Sequence, residues 1–253
     1  MYIRDNGKPY LYGILGTTAA TVASAKAVGV FKLDKNKVSD VNNAINTVVS
    51  ESTNLEKNGL KIKNMTSFSD SDFAKLPKFL NPDKNIIRGK NASFSQFDNV
   101  IAINREKIPL AAFHEIGHAY NKQSSNILRK IQYASPVLGA LGILAAFLPI
   151  IITPAPERDN VPMTFGEKLK NKIRSSSPFL AAACYIPIVA EEGIASLRAS
   201  QLAKPLLQPE IYKKMVRGNI CGFLTYFGSM VACAMLAKYF LSQDDCNNRE
   251  KFA

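Results

Sequence analysis

A chain of 253 residues that is 47% hydrophobic and 21% charged has the material for a folded core, which excludes disorder along its whole length. Its formal charge of +12 rests partly on lysines spread through residues 32–130, with no DNA- or RNA-binding signature beside them. That pattern argues against a nucleic-acid partner and for a solvated surface with some attraction to anionic lipid.

Taken in chain order, the first candidate element is the uncharged segment 9–25, preceded by Arg4 and Lys8 and followed by Lys26. Within residues 1–31 it predicts an anchor or first transmembrane segment. Ala23-Ser24-Ala25 also resembles a signal-peptide cleavage site, and the uncleaved reading is preferred. Residues 32–130 form a polar domain. Val38, Val41, Ala44, Ile45, Val48 and Val49 recur at helical period, predicting a helix over 38–57 that Asn58-Gly59 stops. Residues 60–65 alternate and predict a strand; 69–80 suit a short helix; 92–97 and 99–103 read as two strands turning near Asp98. A further helix starts near Ile108-Pro109, where proline suits the first turn, and runs through LAAFHEIGHAYNKQ.

The apolar runs follow. Residues 131–156 carry no charge and are long enough to cross a bilayer, as are 218–237. Residues 178–190 are shorter and end at two glutamates, which makes a third span beside the stronger two. The organisation is therefore an anchor at 1–31, a polar domain at 32–130, a transmembrane hairpin at 131–190, a connector helix at 191–217, and a last span with its tail at 218–253. Four cysteines, Cys184, Cys221, Cys233 and Cys246, include no C-x-x-C pair. Three lie in apolar stretches and read as small hydrophobes.

The chain's two histidines, His114 and His118, bracket Glu115 in an H-E-x-x-H pattern. Positions i and i+4 share a helical face, so both imidazoles can reach one ion, and zinc accepts neutral imidazole nitrogen. The glutamate after the first histidine can face a water held there and take its proton. Burying two histidines and a carboxylate in so apolar a helix is costly without a partner, and a cation supplies one. No third histidine exists, so the remaining ligand is a carboxylate or, less favourably, a cysteine. Glu191 and Glu192, adjacent acids at the end of an apolar segment, are the best candidates.

The phrase FHEIGHA, two apolar segments, and then E-x-x-A-S-x-R-A at residues 192–199 resemble the bacterial membrane-bound neutral zinc metallopeptidases. The likeness to the HtpX and CAAX-prenyl endopeptidase group is more distant, because Ser196 stands where that group has aspartate. The resemblance covers residues 92–200. It implies an α+β, zincin-like (gluzincin) catalytic domain with a small antiparallel sheet and an active-site helix, joined to three or four transmembrane helices. By position, His114 and His118 would be ligands to one Zn2+, Glu115 the base and Glu192 the third ligand, with Glu191 in reserve or behind the ligands. Ser196 and Arg198 would support the site, although a surface role for Arg198 fits as well. The strand Asn99, Val100, Ile101, Ala102 and Ile103, or ASFSQF before it, would line the cleft and pair with substrate main chain.

The expectation is a multi-pass membrane metalloendopeptidase that cleaves protein or peptide substrates, in a bacterial cytoplasmic membrane with its catalytic side in the cytoplasm. The competing expectation is a non-enzymatic membrane protein stapled by a structural zinc site; hydrolysis of a non-peptide amide is a third.

Overall fold

The computed structural model describes residues 7–28, 33–155 and 161–250, with no description of the side chains of 25–28, 53–54 and 244–250. Parts of the expected anchor (1–6 and 29–31) and the Cys246 side chain therefore lie outside it. The described residues are mostly helical, with one small sheet. In chain order the elements are α1 (Lys8–Val28), α2 (Lys35–Glu51), α3 (Thr53–Lys57), β1 (Lys61–Asn64), α4 (Lys84–Ile87), β2 (Ser93–Ser95) and β3 (Val100–Ile103). Five helices follow: α5 (Ala111–Ser124), α6 (Asn126–Ile151), α7 (Phe165–Ser175), α8 (Ser177–Ala203) and α9 (Pro209–Glu250).

The helix expected over 38–57 is two helices. Its apolar face is as read, with Val41, Ala44, Ile45 and Val48 buried, but α2 ends where the Ser52 N–H bonds back to the Val48 carbonyl, and α3 follows. The short helix expected over 69–80 reduces to one 3-10 turn at Phe68–Asp70. Beyond it, local side-chain bonds compete with helix. Ser71 Oγ accepts the Phe73 N–H, and Asn81 Nδ2 donates to the Phe73 carbonyl.

The sheet is mixed, not antiparallel. β2 and β3 form the expected antiparallel pair, with Phe94 opposite Ile101, but β1 pairs in parallel with the far side of β3, Ile62 opposite Ile101. The strand order is β1-β3-β2. The chain between β1 and β2 is far too long for a hairpin, so β1 is free to join from the other side. As a result β3 is the central strand, and its backbone is committed to both neighbours. Of the two expected peptide-binding edges, Asn99–Ile103 is corrected because it contains the central β3, while ASFSQF contains β2, an outer strand like β1.

The chain gathers into two compact units. One comprises Ala23–Tyr133 and Ala190–Leu224. Its core joins Val41 and Ile45 of α2, Leu55 of α3, Ile101 and Ile103 of β3, Phe113 and Ile116 of α5, Ala199 of α8, and Ile211 and Met215 of α9. Fully burying Phe113 or an isoleucine contributes about 1.5–3 kcal/mol each.

The other unit holds the chain up to Val22, Ala134–Val189, and the chain from Thr225 onward. Small residues bring α6 and α8 together in it. Ala145, Ala146 and Ala181 form a buried cluster, and Gly142 faces the Tyr185 ring. Val137, Leu141, Leu144, Phe147 and Ile151 of α6 are exposed. Among the described residues, three helices are long and apolar enough to cross a membrane, at Asn126–Ile151, Ser177–Ala203 and Pro209–Gln243. Their length and composition are consistent with a membrane protein. Helix α1, at the expected first span, is not among the three. Cys184, Cys221 and Cys233 are free thiols.

Candidate metal centre

Helix α5 carries the H-E-x-x-H residues, and the turn before it is fixed by a buried asparagine. Asn104 Oδ1 accepts the backbone N–H groups of Glu106 and Lys107, and its Nδ2 donates to the Ile87 carbonyl. After Pro109 the helix sets Ala112, Phe113, Ile116 and Ala119 into the core. That leaves His114 and His118, one turn apart, on another stripe. Gly117 lies between them. A Cβ there would overlap the backbone carbonyl of Ala195, so α5 and α8 cross backbone against backbone. The close crossing brings the Glu191–Glu192 pair of α8 to the imidazoles.

Three ligand atoms converge. His118 Nε2 is 3.1 Å from His114 Nε2. Glu192 Oε2 is 3.2 Å from His114 Nε2 and 3.6 Å from His118 Nε2. A tetrahedral ion with arms of about 2.0–2.1 Å has edges of roughly 3.3–3.4 Å, so this triangle is one face of such a polyhedron. The imidazoles stand edge to face at 85°, as two rings pointing at one centre from successive turns do. His114, His118 and Glu192 thus form a group that could hold a metal ion. The donor set, two imidazole nitrogens and a carboxylate oxygen, suits a divalent transition-metal ion.

The far edge of each ring is also engaged. His118 Nδ1 is 3.0 Å from Glu191 Oε1, and that oxygen accepts Asn121 Nδ2 and Gln132 Nε2, each at 2.7 Å. Gln132 Nε2 also donates to the His118 carbonyl, and Asn121 Nδ2 to the Glu191 carbonyl. His114 Nδ1 lies 3.3 Å from Ser196 Oγ. An ion on Nε2 leaves the proton on Nδ1, which then donates to Glu191 or Ser196; such contacts fix tautomer and ring angle. Without an ion, burial works against a charged His118, but the bonds to Glu191 and then Glu192 outweigh it and hold its pKa well above the usual value.

Glu115 is buried, and its carboxylate has no hydrogen-bond partner among the described residues. Burial raises its pKa, while the two histidines pull it down.

Residues read from the sequence therefore fall into three places. His114, His118 and Glu192 meet at one point. Glu191 and Ser196 stand behind the rings, with one Glu191 carboxylate oxygen taken up by His118, Asn121 and Gln132. Arg198 bonds Ser124 Oγ and lies over the Tyr120 ring, without a contact to either glutamate. Asn121 and Gln132 were not singled out by sequence reasoning. Asn121 follows His118 by three positions and so shares its helical face, a usable signal; Gln132 lies on α6 and carries none.

Comparison of the chain with protein-family models, with curated proteins and with solved structures gives no match.

Proposed function

We propose that the chain is a membrane-embedded zinc metallopeptidase of the gluzincin type, with His114, His118 and Glu192 as ligands to one ion and Glu115 as general base. The observation that carries this reading is the ligand triangle, because it provides three protein ligands and leaves the fourth tetrahedral position to water or substrate. Structural zinc sites are usually closed by four protein ligands. Glu191, the obvious fourth, is turned away onto His118, Asn121 and Gln132. That orientation favours an open, catalytic site over a structural staple.

When bound, the ion supplies Lewis acidity, polarising a carbonyl and making an attacking water more acidic. The chain supplies the rest. The Glu115 carboxylate sits in a low-dielectric setting that raises its basicity. With no hydrogen-bond partner among the described residues, it is free to take the water's proton at a carboxylate oxygen and pass it to the leaving amine. His114 and His118 are held at one tautomer by Ser196 and Glu191. The outer strand β2 packs beside α5 and offers an extended peptide a backbone to pair with, in place of the central β3. The three apolar helices favour substrates in or beside a bilayer.

The test compares purified wild type and Glu115→Gln for metal content and for cleavage of a peptide library, with a proteomic comparison of cells carrying each. The proposal expects equal metal and no cleavage by the variant. Equal cleavage by both would remove Glu115 from the chemistry.

A further inference from the structure

Helix α7 is built with its polar side inward. Thr164 and Glu167 cap its start reciprocally: Thr164 Oγ1 accepts the Glu167 N–H, and Glu167 Oε2 accepts the Thr164 N–H. The next residues along that side dock on the end of α6. Asn171 Oδ1 accepts the Ala155 N–H at 3.0 Å, and the buried Arg174 donates through Nε to the Pro149 carbonyl at 3.3 Å. Lys170 Nζ reaches Thr153 Oγ1.

The opposite stripe is apolar and outward. Phe165, Leu169 and Ile173 recur every fourth residue and are 82%, 46% and 38% exposed. Val161 and Met163, just before the helix, are exposed too. A helix in water turns its apolar stripe to the protein. This one does the reverse, which is the arrangement expected where the surrounding medium is hydrocarbon on one side. Lys168, Lys170 and Lys172 flank the stripe, and the only acid on the helix, Glu167, is used in the cap. Helices α6 and α8, between which α7 lies in sequence, are two of the three described helices long and apolar enough to span a bilayer. A short helix docked on the end of α6 therefore sits where a spanning segment leaves the membrane.

We infer that α7 is an interfacial helix whose Phe165–Leu169–Ile173 stripe is immersed in the surface of an anionic bilayer, with Lys168, Lys170 and Lys172 at the level of the lipid phosphates. Charge complementarity and the continuity with α6 select lipid over a protein partner. The inference does not depend on the metal centre or on any catalytic activity.

The chain contains no tryptophan, so a single one reports cleanly. Full-length Phe165→Trp is reconstituted in phosphatidylcholine vesicles with and without phosphatidylglycerol, and emission is followed against brominated acyl chains and aqueous acrylamide. Ser175→Trp, off the apolar stripe, is the comparison. The expected result for Phe165→Trp is loss of indole emission to the brominated lipid and protection from acrylamide, both stronger with phosphatidylglycerol. Ser175→Trp should be quenched less by bromine. Replacing Lys168, Lys170 and Lys172 by glutamine brings the phosphatidylglycerol result back to the phosphatidylcholine level. An indole at position 165 that is open to acrylamide and indifferent to bromine would overturn the assignment. Protection from acrylamide without bromine quenching would overturn it as well, since protein would then cover the stripe. Quenching that ignores both the anionic lipid and the lysine substitutions would overturn the electrostatic part.

Discussion

Gly117 of α5 faces the backbone carbonyl of Ala195 on α8 so closely that a β-carbon at position 117 would occupy the carbonyl's space. Backbone cannot swing aside as a flexible side chain can. Gly117→Ala is therefore expected to push α8 away and cost about 1–3 kcal/mol, the range for forced overpacking. Because the same crossing delivers Glu192, the variant also loses metal affinity. Thermal unfolding and metal titration check the two effects together; an unchanged affinity would separate the crossing from the centre.

Glu191 acts through His118. Glu191→Gln keeps the shape but weakens the charge-assisted bond to Nδ1, and loss of such supporting partners costs roughly 10–100-fold in metal affinity. Glu192→Ala removes a proposed ligand outright and is expected to cost more. Competition with a chromophoric chelator ranks the two, and equal losses would mean that Glu191 also binds the ion.

In the proposed centre, proton and metal compete for His118 Nε2. In the metal-free protein the His118 pKa lies above the ordinary 6.5, chiefly through Glu191 and Glu192 acting against burial. Its charged form is thus stabilised by folding. That contribution is fully present below the unfolded pKa and is lost as pH rises through the folded one. Metal affinity runs the other way, climbing with pH until His118 is neutral. Calorimetry of loading at neutral pH in buffers of different ionisation enthalpy should show proton release, and metal-free stability should fall on the alkaline side of 6.5 while the loaded protein's rises.

Asn104 ties β3, the turn and α4 together through one fully buried amide. Asn104→Ala takes the side-chain partner from the Glu106 N–H, while the Lys107 N–H keeps the backbone carbonyl of residue 104 and the Ile87 carbonyl keeps Lys107 Nζ, so the expected cost is about 1–3 kcal/mol. Denaturant unfolding measures it, and the destabilisation should appear in metal-free and loaded protein alike.

How far the sequence could be read depends on the range of the interactions. The apolar period of α2, the i and i+4 histidines of α5 and the two strands around Asp98 are local patterns, and each reappears in the fold. The break at Ser52 and the loss of helix after Asp70 come from short-range hydrogen bonds that apolar period does not report. The parallel placement of β1 and the central position of β3 depend on a long connection whose route no local pattern encodes. Gln132, reaching Glu191 from a different helix, is of the same kind. The glutamates were legible because paired acids at the end of an apolar run need partners; which of them faces the two Nε2 atoms follows from the crossing at Gly117.

The most direct test is metal stoichiometry and affinity across wild type, His114→Ala, His118→Ala, Glu192→Ala and Glu115→Gln, each purified as the full chain and checked for folding. One tightly held ion in wild type and Glu115→Gln, with severe weakening in the other three, is the predicted outcome. Undiminished binding by Glu192→Ala, or no stoichiometric ion in wild type after loading, would contradict the account.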